Sequence, residues 1–139
     1  MREIKFRGKD KDSGEWICGS LLCLKADNIQ IWRKEKDGTW NYVVDPATVG
    51  QYTGLKDAKG VEIYEGDIVC IWSGSTGVVR IGTYNNDFLE YSPTICGVYC
   101  NEIGGANHNF GLTQYFTNEV EVVGNVHDAP ELLGGESPC

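Results

Sequence analysis

The sequence has no long apolar run, and this absence excludes a membrane-spanning helix. No window of about twenty consecutive apolar residues, the length that such a helix needs, occurs in the 139 residues. The opening residues, MREIKFRGKDKDSG, also lack the apolar core of a secretory signal peptide. We therefore expect a cytoplasmic protein that has no membrane association.

Histidine is scarce, and the cysteines lack the spacing of a metal centre. The two histidines, His108 and His127, do not form a second ligand pair beside the cysteines. The cysteines are Cys18, Cys23, Cys70, Cys96, Cys100 and Cys139. We interpret them as structural or incidental, with Cys18 and Cys70 as free thiols inside strands. We expect no metal and no cofactor.

Two pairs of acids come nearest to a catalytic set. Glu65 and Asp67 flank a predicted turn, and Glu119 and Glu121 lie two residues apart in a predicted strand. Acid–base catalysis needs carboxylates whose surroundings drive their pKa values apart, whereas turn acids and alternate strand acids mostly face water. The sequence therefore predicts a protein that is not an enzyme and has no catalytic residues.

Positive charge is scarce after residue 44. Residues 1–44 hold nine lysines and arginines against seven acids, whereas residues 45–139 hold three against thirteen. The net charge of −8 repels a phosphate backbone at long range. Nucleic acid is therefore disfavoured as a partner, although the basic N-terminal strands keep it open locally.

Glycine and aromatic residues are abundant, which favours many short strands joined by turns. The 18 glycines are nearly twice the average frequency of about 7%. Alternating stretches such as EIKFR (residues 3–7) and the hairpin signal Asp37-Gly38 predict a β-meander subdomain over residues 1–44. Trp32, Trp40 and Tyr42 are predicted to stack across that hairpin.

The stretch VGQYTGLKDAKGVEIYEGDIVCI (residues 49–71) predicts three strands joined by two turns. Gly66 can adopt the positive φ that the second turn requires. The later stretch EVEVVGNV (residues 119–126) alternates again, with Val122 on its apolar face. We predict that these segments meet in one closed antiparallel sheet, a small barrel over residues 45–133.

Residues 92–118 carry one charge and show no clear periodicity, which predicts a long loop. It is either a binding loop or a subunit contact that buries aromatic side chains. After the last strand, Asp128 can cap a short C-terminal helix with Pro130 in its first turn. Residues 134–139 are predicted to be a flexible tail.

Three segments resemble the YopX family of bacteriophage and prophage proteins: REIKFRGKD, VGQYTGLKDAKGVEIYEGDIV and VEVVGNVHDAPELL. The resemblance implies a mainly β protein with an SH3-like barrel around the turn YEGD (residues 64–67). It carries over no catalytic residues, because none are assigned in the family. Residues 24–44 and 92–118 show no family signature, and Ala129-Pro130 stands where relatives often have Asn-Pro.

These observations predict a phage or prophage accessory protein that acts as a non-catalytic binding or assembly module. We expect a homo-oligomer that also contacts a phage or host protein, because edge strands of small barrels accept partner strands. The candidate binding residues are Trp32, Trp40, Tyr99, Phe110, Tyr115, Arg7 and Arg33. The alternative is a nucleic-acid-binding small barrel that uses the basic and aromatic N-terminal strands.

Overall fold

The computed structural model describes residues 3–71, 74–85, 94–103 and 108–134, without the side chains of Thr94 and Tyr115. In these ranges the chain forms strands and very short helices. The strands are β1 Phe6–Lys9, β2 Trp16–Lys25, β3 Asn28–Glu35, β4 Gly38–Val44, β5 Gly50–Lys56, β6 Glu62–Tyr64, β7 Asp67–Cys70, β8 Thr76–Asn85, β9 Thr94–Ile103, β10 Asn109–Gly111 and β11 Glu121–Asn125. One helical turn, α1, spans Gln114–Thr117, and 3₁₀ turns span Pro46–Thr48 and Pro130–Leu133.

The strands form two antiparallel sheets, so the mainly β prediction is confirmed. One sheet has the order β4-β3-β2-β1-β5-β6 and the other has the order β10-β9-β8-β7-β11. The chain divides into two compact units, Met1–Tyr52 and Thr53–Cys139, so the boundary falls inside β5. The division into residues 1–44 and 45–133 stays a prediction. Of the predicted tail, only Gly134 is among the described residues.

In the first unit the strands curl around a small aliphatic core. Its fully enclosed members are Ile17, Ile31 and Val44. The first part of β2 pairs with β1 and the rest pairs with β3, so β2 carries the chain from one side of the core to the other. The end of β4 returns to the residues after β1: Asp10 bridges Val44, and the Lys11 N–H donates to the Val43 carbonyl at 3.0 Å. A single bridge leaves this sheet curled rather than closed.

The second unit has the larger core. Its buried residues are Ile63, Val69, Ile71, Val79, Cys100, Phe110, Leu112 and Val120. β7 lies between β8 and β11, with Val122 of β11 opposite Val69. The predicted meeting of the central segment with the late valine-rich strand is therefore confirmed for β7.

The closed barrel predicted for residues 45–133 is wrong, and its SH3-like character is not confirmed. Within the described ranges, β10 and β11 remain the two separate edges of an open five-stranded sheet. β5 does not join that sheet because its N-terminal half finds a partner in β1, where Phe6 lies opposite Gln51 and Arg7 lies opposite Gly50.

The long loop predicted for residues 92–118 is also wrong, because this stretch contains β9, β10 and α1. β9 pairs with β8 over the full length of both strands. It contains the β-favouring residues Ile95, Val98 and Tyr99, but glycine and asparagine interrupt them. Cys100 lies opposite Val79 in the ladder and is completely buried. Packing against neighbouring strands decides strand formation more than intrinsic preference does. The predicted return strand, residues 88–91, lies outside the described residues.

At the C-terminal end, a single 3₁₀ turn stands where we predicted a helix. Ala129, the residue before Pro130–Leu133, provides no side-chain cap. The Asp128 carboxylate, predicted to be that cap, instead accepts a hydrogen bond from the Asn125 amide at 3.0 Å. Without a capping side chain, four residues do not extend into an α-helix.

The cysteines differ from the prediction at one position. Cys70 is disulfide-bonded, so the expectation of a free thiol there is wrong. Cys18, Cys23, Cys96 and Cys100 are free. Burial raises the pKa of the Cys100 thiol to about 12, so it behaves as a neutral apolar group. Among the described residues, no helix has both the length and the apolar character to cross a membrane.

Candidate binding surface

The β3–β4 hairpin and the adjoining part of β2 present large apolar side chains to solvent. Those exposed on these strands are Leu22, Leu24, Trp32, Trp40 and Val43. Trp32 is 41% exposed and Trp40 is 49% exposed. The hairpin register runs without interruption from Ile29 opposite Val44 to Glu35 opposite Gly38. These side chains are therefore held on a regular ladder.

The two tryptophans lie on opposite faces of this hairpin. Trp40 lies opposite Arg33 in the ladder, so it shares the face of Arg33 and of the buried Ile31, two residues earlier. Trp32, the neighbour of Arg33 in sequence, points to the other face. The predicted stack of Trp32, Trp40 and Tyr42 is therefore wrong, because only Trp40 and Tyr42 share a face.

The outer face of β2, β3 and β4, which points away from the core, carries an ordered apolar patch. Gln30 lies between Leu22 on one side and Val43 on the other. Its side-chain oxygen accepts hydrogen bonds from the Trp32 indole and from the Asn41 amide, both at 3.2 Å. The indole is therefore held in place. Binding a partner would cost little conformational entropy of the Trp32 side chain, because that side chain is already ordered.

The outer face carries very little charge. At its positions on β3 and β4, Lys34 is the single ionised side chain. On β2, Ser20 and Leu22 continue the same face without charge, and Lys25, opposite Asn28, adds a second cation at its border. Interface centres are depleted in charged residues and enriched in aromatic ones. This composition suits contact with protein more than contact with a phosphate backbone.

Arg33, on the opposite face, is engaged within the hairpin. Its guanidinium donates to one Glu35 carboxylate oxygen from Nε at 2.9 Å and from Nη2 at 2.7 Å, and the Tyr42 hydroxyl donates to the same oxygen at 3.0 Å. The hydrogen bond to Glu35 is the main cause that raises the pKa of Arg33. With its charge balanced by Glu35, Arg33 has little left to attract an anion.

Arg7 lies on β1, beside a tryptophan that was not among the candidate binding residues. The Arg7 guanidinium lies 4.7 Å from the centre of the Trp16 ring, and the Lys9 ammonium lies 5.4 Å from it. Strand alternation places Lys5, Arg7 and Lys9 on one face of β1. Trp16 lies opposite Lys9 in the β1–β2 ladder. That pairing is the signal that could have identified Trp16.

The candidate residues of the second unit do not form a surface together. Phe110 is only 3% exposed and belongs to the core, which excludes it as a binding residue. Tyr99 is half-buried and stacks on Tyr84, with ring centres 4.6 Å apart. The side chain of Tyr115 lies outside the described residues.

One acid of each pair that came nearest to a catalytic set has a structural partner. Asp67 is buried and accepts a hydrogen bond from the Tyr64 N–H at 2.8 Å, across the turn in which Gly66 adopts a φ of 91°. Glu121 forms an ion pair with Lys59 at 2.8 Å. In the parts of the chain that the structure describes, no three His, Cys, Asp or Glu residues are grouped to hold a metal ion.

Comparison with known proteins identifies a family. The model of that family, described as YopX protein, matches residues 5–134. Among solved structures, protein EF1440 from Enterococcus faecalis is similar at 22% sequence identity and a TM-score of 0.46, covering 96% of this chain and 99% of that chain. No curated protein matches this chain.

Proposed function

The chain belongs to the YopX family, and we propose that it is a non-catalytic binding or assembly module that self-associates. The observation that carries the proposal is the apolar patch on the outer face of β2, β3 and β4. Single exposed apolar residues are ordinary on a protein surface, whereas contiguous ones mark interaction sites. Leu22 and Val43 flank Gln30, and Trp32 is held beside them.

The proposal includes a biological setting. The protein is a phage or prophage accessory protein, and its partners are a second copy of itself and a phage or host protein. Its place of action is the cytoplasm of the bacterial host. The disulfide at Cys70 is the observation that weighs against this compartment, because disulfides are rare there.

Light scattering coupled to size-exclusion chromatography tests the self-association. We expect the mass to rise above that of one chain at tens of micromolar, and Trp32→Ser to reduce this rise. Val61→Ser is the matched control, because Val61 is exposed but lies on the second unit. A strict monomer at that concentration would overturn the self-association, and equal losses in both variants would remove the patch as its cause.

Nucleic-acid binding is the second candidate function, and the row of cations on β1 favours it. Lys5, Arg7 and Lys9 share one face, and two of them lie over the Trp16 ring. Single strands are bound by basic grooves with aromatic platforms. Fluorescence anisotropy with a labelled single-stranded oligonucleotide at low salt should show binding that weakens as salt is added. A flat titration would dismiss this function.

A further inference from the structure

The outer edge of β4 has backbone groups that are directed away from the rest of the sheet. β4 pairs with β3 along its length. Among the described residues its other side is occupied only near its C-terminal end, where the Lys11 N–H donates to the Val43 carbonyl. Backbone groups alternate in direction along an antiparallel strand. The Val43 carbonyl points away from β3. Asn41 and Thr39 lie two and four residues before Val43, so their N–H and C=O groups also point away from β3.

We propose that this edge pairs with the same edge of a second copy, antiparallel, about a two-fold axis at Trp40. The inference rests on the proposed self-association and adds to it a contact at the strand edge, separate from the outer-face patch, without which two copies do not associate. In this register Thr39 of each copy lies opposite Asn41 of the other. Each such pair exchanges its outward N–H and C=O groups as a hydrogen-bonded pair. The two curled sheets then become one continuous sheet with an isologous interface.

The side chains at the axis fit this arrangement. Two Trp40 residues would face each other in a non-hydrogen-bonded pair, where Cα atoms approach to about 4.5 Å and side chains are closest. Aromatic cross-strand pairs stabilise sheets. The Trp40 indole N–H already donates to Asp37 at 3.0 Å. The Trp40 ring is exposed in the single copy. When a second copy covers it, the indole N–H keeps its acceptor, so no buried donor is left unpaired.

Charge and steric contacts select this register over its neighbour. With the axis at Trp40, Asp37 of one copy comes beside Val43 of the other, whose carbonyl already accepts from the Lys11 N–H. Asp37 precedes β4 and needs no backbone partner there. Asp37 and Lys11 are oppositely charged. With the axis moved to Asn41, Asp37 would instead come opposite Asp45, and Thr39 would need the Val43 carbonyl that Lys11 already uses. Like charges directly opposite destabilise a strand pair.

A charge exchange at the axis tests the proposal. Trp40→Glu and Trp40→Lys each place like charges opposite each other in a pair of identical copies, so each variant alone should lose self-association. An equimolar mixture of the two should restore it, because every mixed pair then joins opposite charges. Ile4→Glu and Ile4→Lys are the matched controls: Ile4 is exposed but precedes β1, and each should self-associate as the unchanged protein does.

The outcomes separate this proposal from the broader one. If the unchanged protein self-associates and both Trp40 variants still do, the β4 edge is not the interface, and the proposed function stands. If both variants are monomeric but the mixture is too, pairing about Trp40 is overturned. If the unchanged protein is a strict monomer, the self-association falls and this inference falls with it.

Amide hydrogen exchange in the unchanged protein gives a second readout that needs no variant. The outward amides of Thr39 and Asn41 should exchange more slowly as protein concentration rises. The amides of Trp40 and Tyr42, which point toward β3, should change much less. Equal behaviour of the two sets at concentrations where the protein self-associates would overturn pairing at this edge. A strand from another protein on the same edge would slow Thr39 and Asn41 only when that protein is added.

Discussion

The β3–β4 hairpin of the first unit and strand β10 of the second unit place their aromatic side chains differently. Trp32 and Trp40 are exposed on the hairpin of the first unit. Phe110 is buried among aliphatic residues of the second. Among the described residues, the first core has three buried members and the second has eight. The aromatic area on the hairpin is exposed to solvent instead of filling a core, and the proposed binding role of the first unit depends on this contrast.

The two units also differ in how their polar groups are used. In the first unit the hydrogen bonds of Trp32, Arg33 and Trp40 are made at the surface, inside one hairpin. In the second unit, buried Asp57 and Asp67 hold turns through backbone N–H groups. Buried carboxylates of this kind stabilise one arrangement of the chain, because leaving them unpaired is costly. The second unit should therefore be the less tolerant of substitution.

Truncating Phe110 should have the largest effect on the free energy of unfolding, and it tests this contrast. Phe110→Ala should lower the free energy of unfolding by about 3–5 kcal/mol, because it removes a buried ring and leaves a cavity. Phe110→Leu, the matched control, keeps an apolar group there and should lose less. Urea unfolding followed by circular dichroism measures both. A loss below about 1 kcal/mol for Phe110→Ala, the range of surface changes, would contradict its place in the core.

Asp57 gives the next largest effect. Its carboxylate accepts hydrogen bonds from the backbone N–H groups of Lys59 at 2.8 Å, Val61 at 2.9 Å and Val122 at 3.0 Å. Asp57→Ala should cost about 2–4 kcal/mol of unfolding free energy, because three backbone donors in partly buried hydrogen bonds lose a charged acceptor. Lys59→Ala, which removes only an exposed ion pair, should cost about 1 kcal/mol or less. Similar losses for the two variants in urea unfolding would contradict this role.

Lowering the pH should remove the stability that the Asp57 carboxylate contributes. Burial raises the pKa of Asp57, but the hydrogen bonds from Val122, Val61 and Lys59 outweigh it, so the pKa lies below its ordinary value. A lowered folded-state pKa contributes stability above the unfolded pKa of about 4. That contribution is lost as the pH falls through the folded value. In Asp57→Asn, the free energy of unfolding should fall less steeply below about pH 4 than in the unchanged protein. Equal slopes for the two proteins would contradict a stabilising role of the Asp57 charge.

Much of the fold follows from local sequence signals. The Asp37-Gly38 signal predicted the hairpin that became β3 and β4, and Gly66 does adopt the positive φ required in its turn. The hairpin and the turn depend on neighbours in sequence, which is the range over which such patterns carry information. The pairing of β7 with β11 joins distant segments, and it was predicted because both are rich in apolar, β-favouring residues.

β9 could not be predicted in this way. Its glycine, cysteine and asparagine residues are weak β formers, and the strand exists because β8 offers a full ladder of partners. The same long-range pairing directs β5 to β1 instead of into a barrel. Contacts between distant segments decide both features, and no local pattern records them.

The opposite orientation of the two tryptophans was within reach of the sequence. In a hairpin with two turn residues, cross-strand partners always join an even-numbered residue to an odd-numbered one, as in Arg33 opposite Trp40. Two even-numbered residues, Trp32 and Trp40, must then lie on opposite faces. Turn length therefore determines which aromatic residues can form a common surface.

A smaller effect tests the close packing of the second core. A Cβ atom added to Gly77 would overlap the sulfur of buried Cys100. Gly77→Ala should therefore cost about 1–3 kcal/mol of unfolding free energy, as overpacked cores do. Cys100→Ala removes the sulfur, so the double variant should lose less than the sum of the single losses. Additive losses in urea unfolding would show that this contact does not limit the packing.

The smallest effect on stability should come from Trp32. Its ring is exposed on the outer face, so Trp32→Ala removes little buried area and breaks one surface hydrogen bond to Gln30. The free energy of unfolding should change by about 1 kcal/mol or less, far below the loss at Phe110. Trp32→Phe is the matched control, because it keeps the ring area and loses the indole N–H. If urea unfolding showed a loss near that of Phe110→Ala, Trp32 would be a core residue, and an aromatic side chain held ready for a partner would be the wrong interpretation of the outer face.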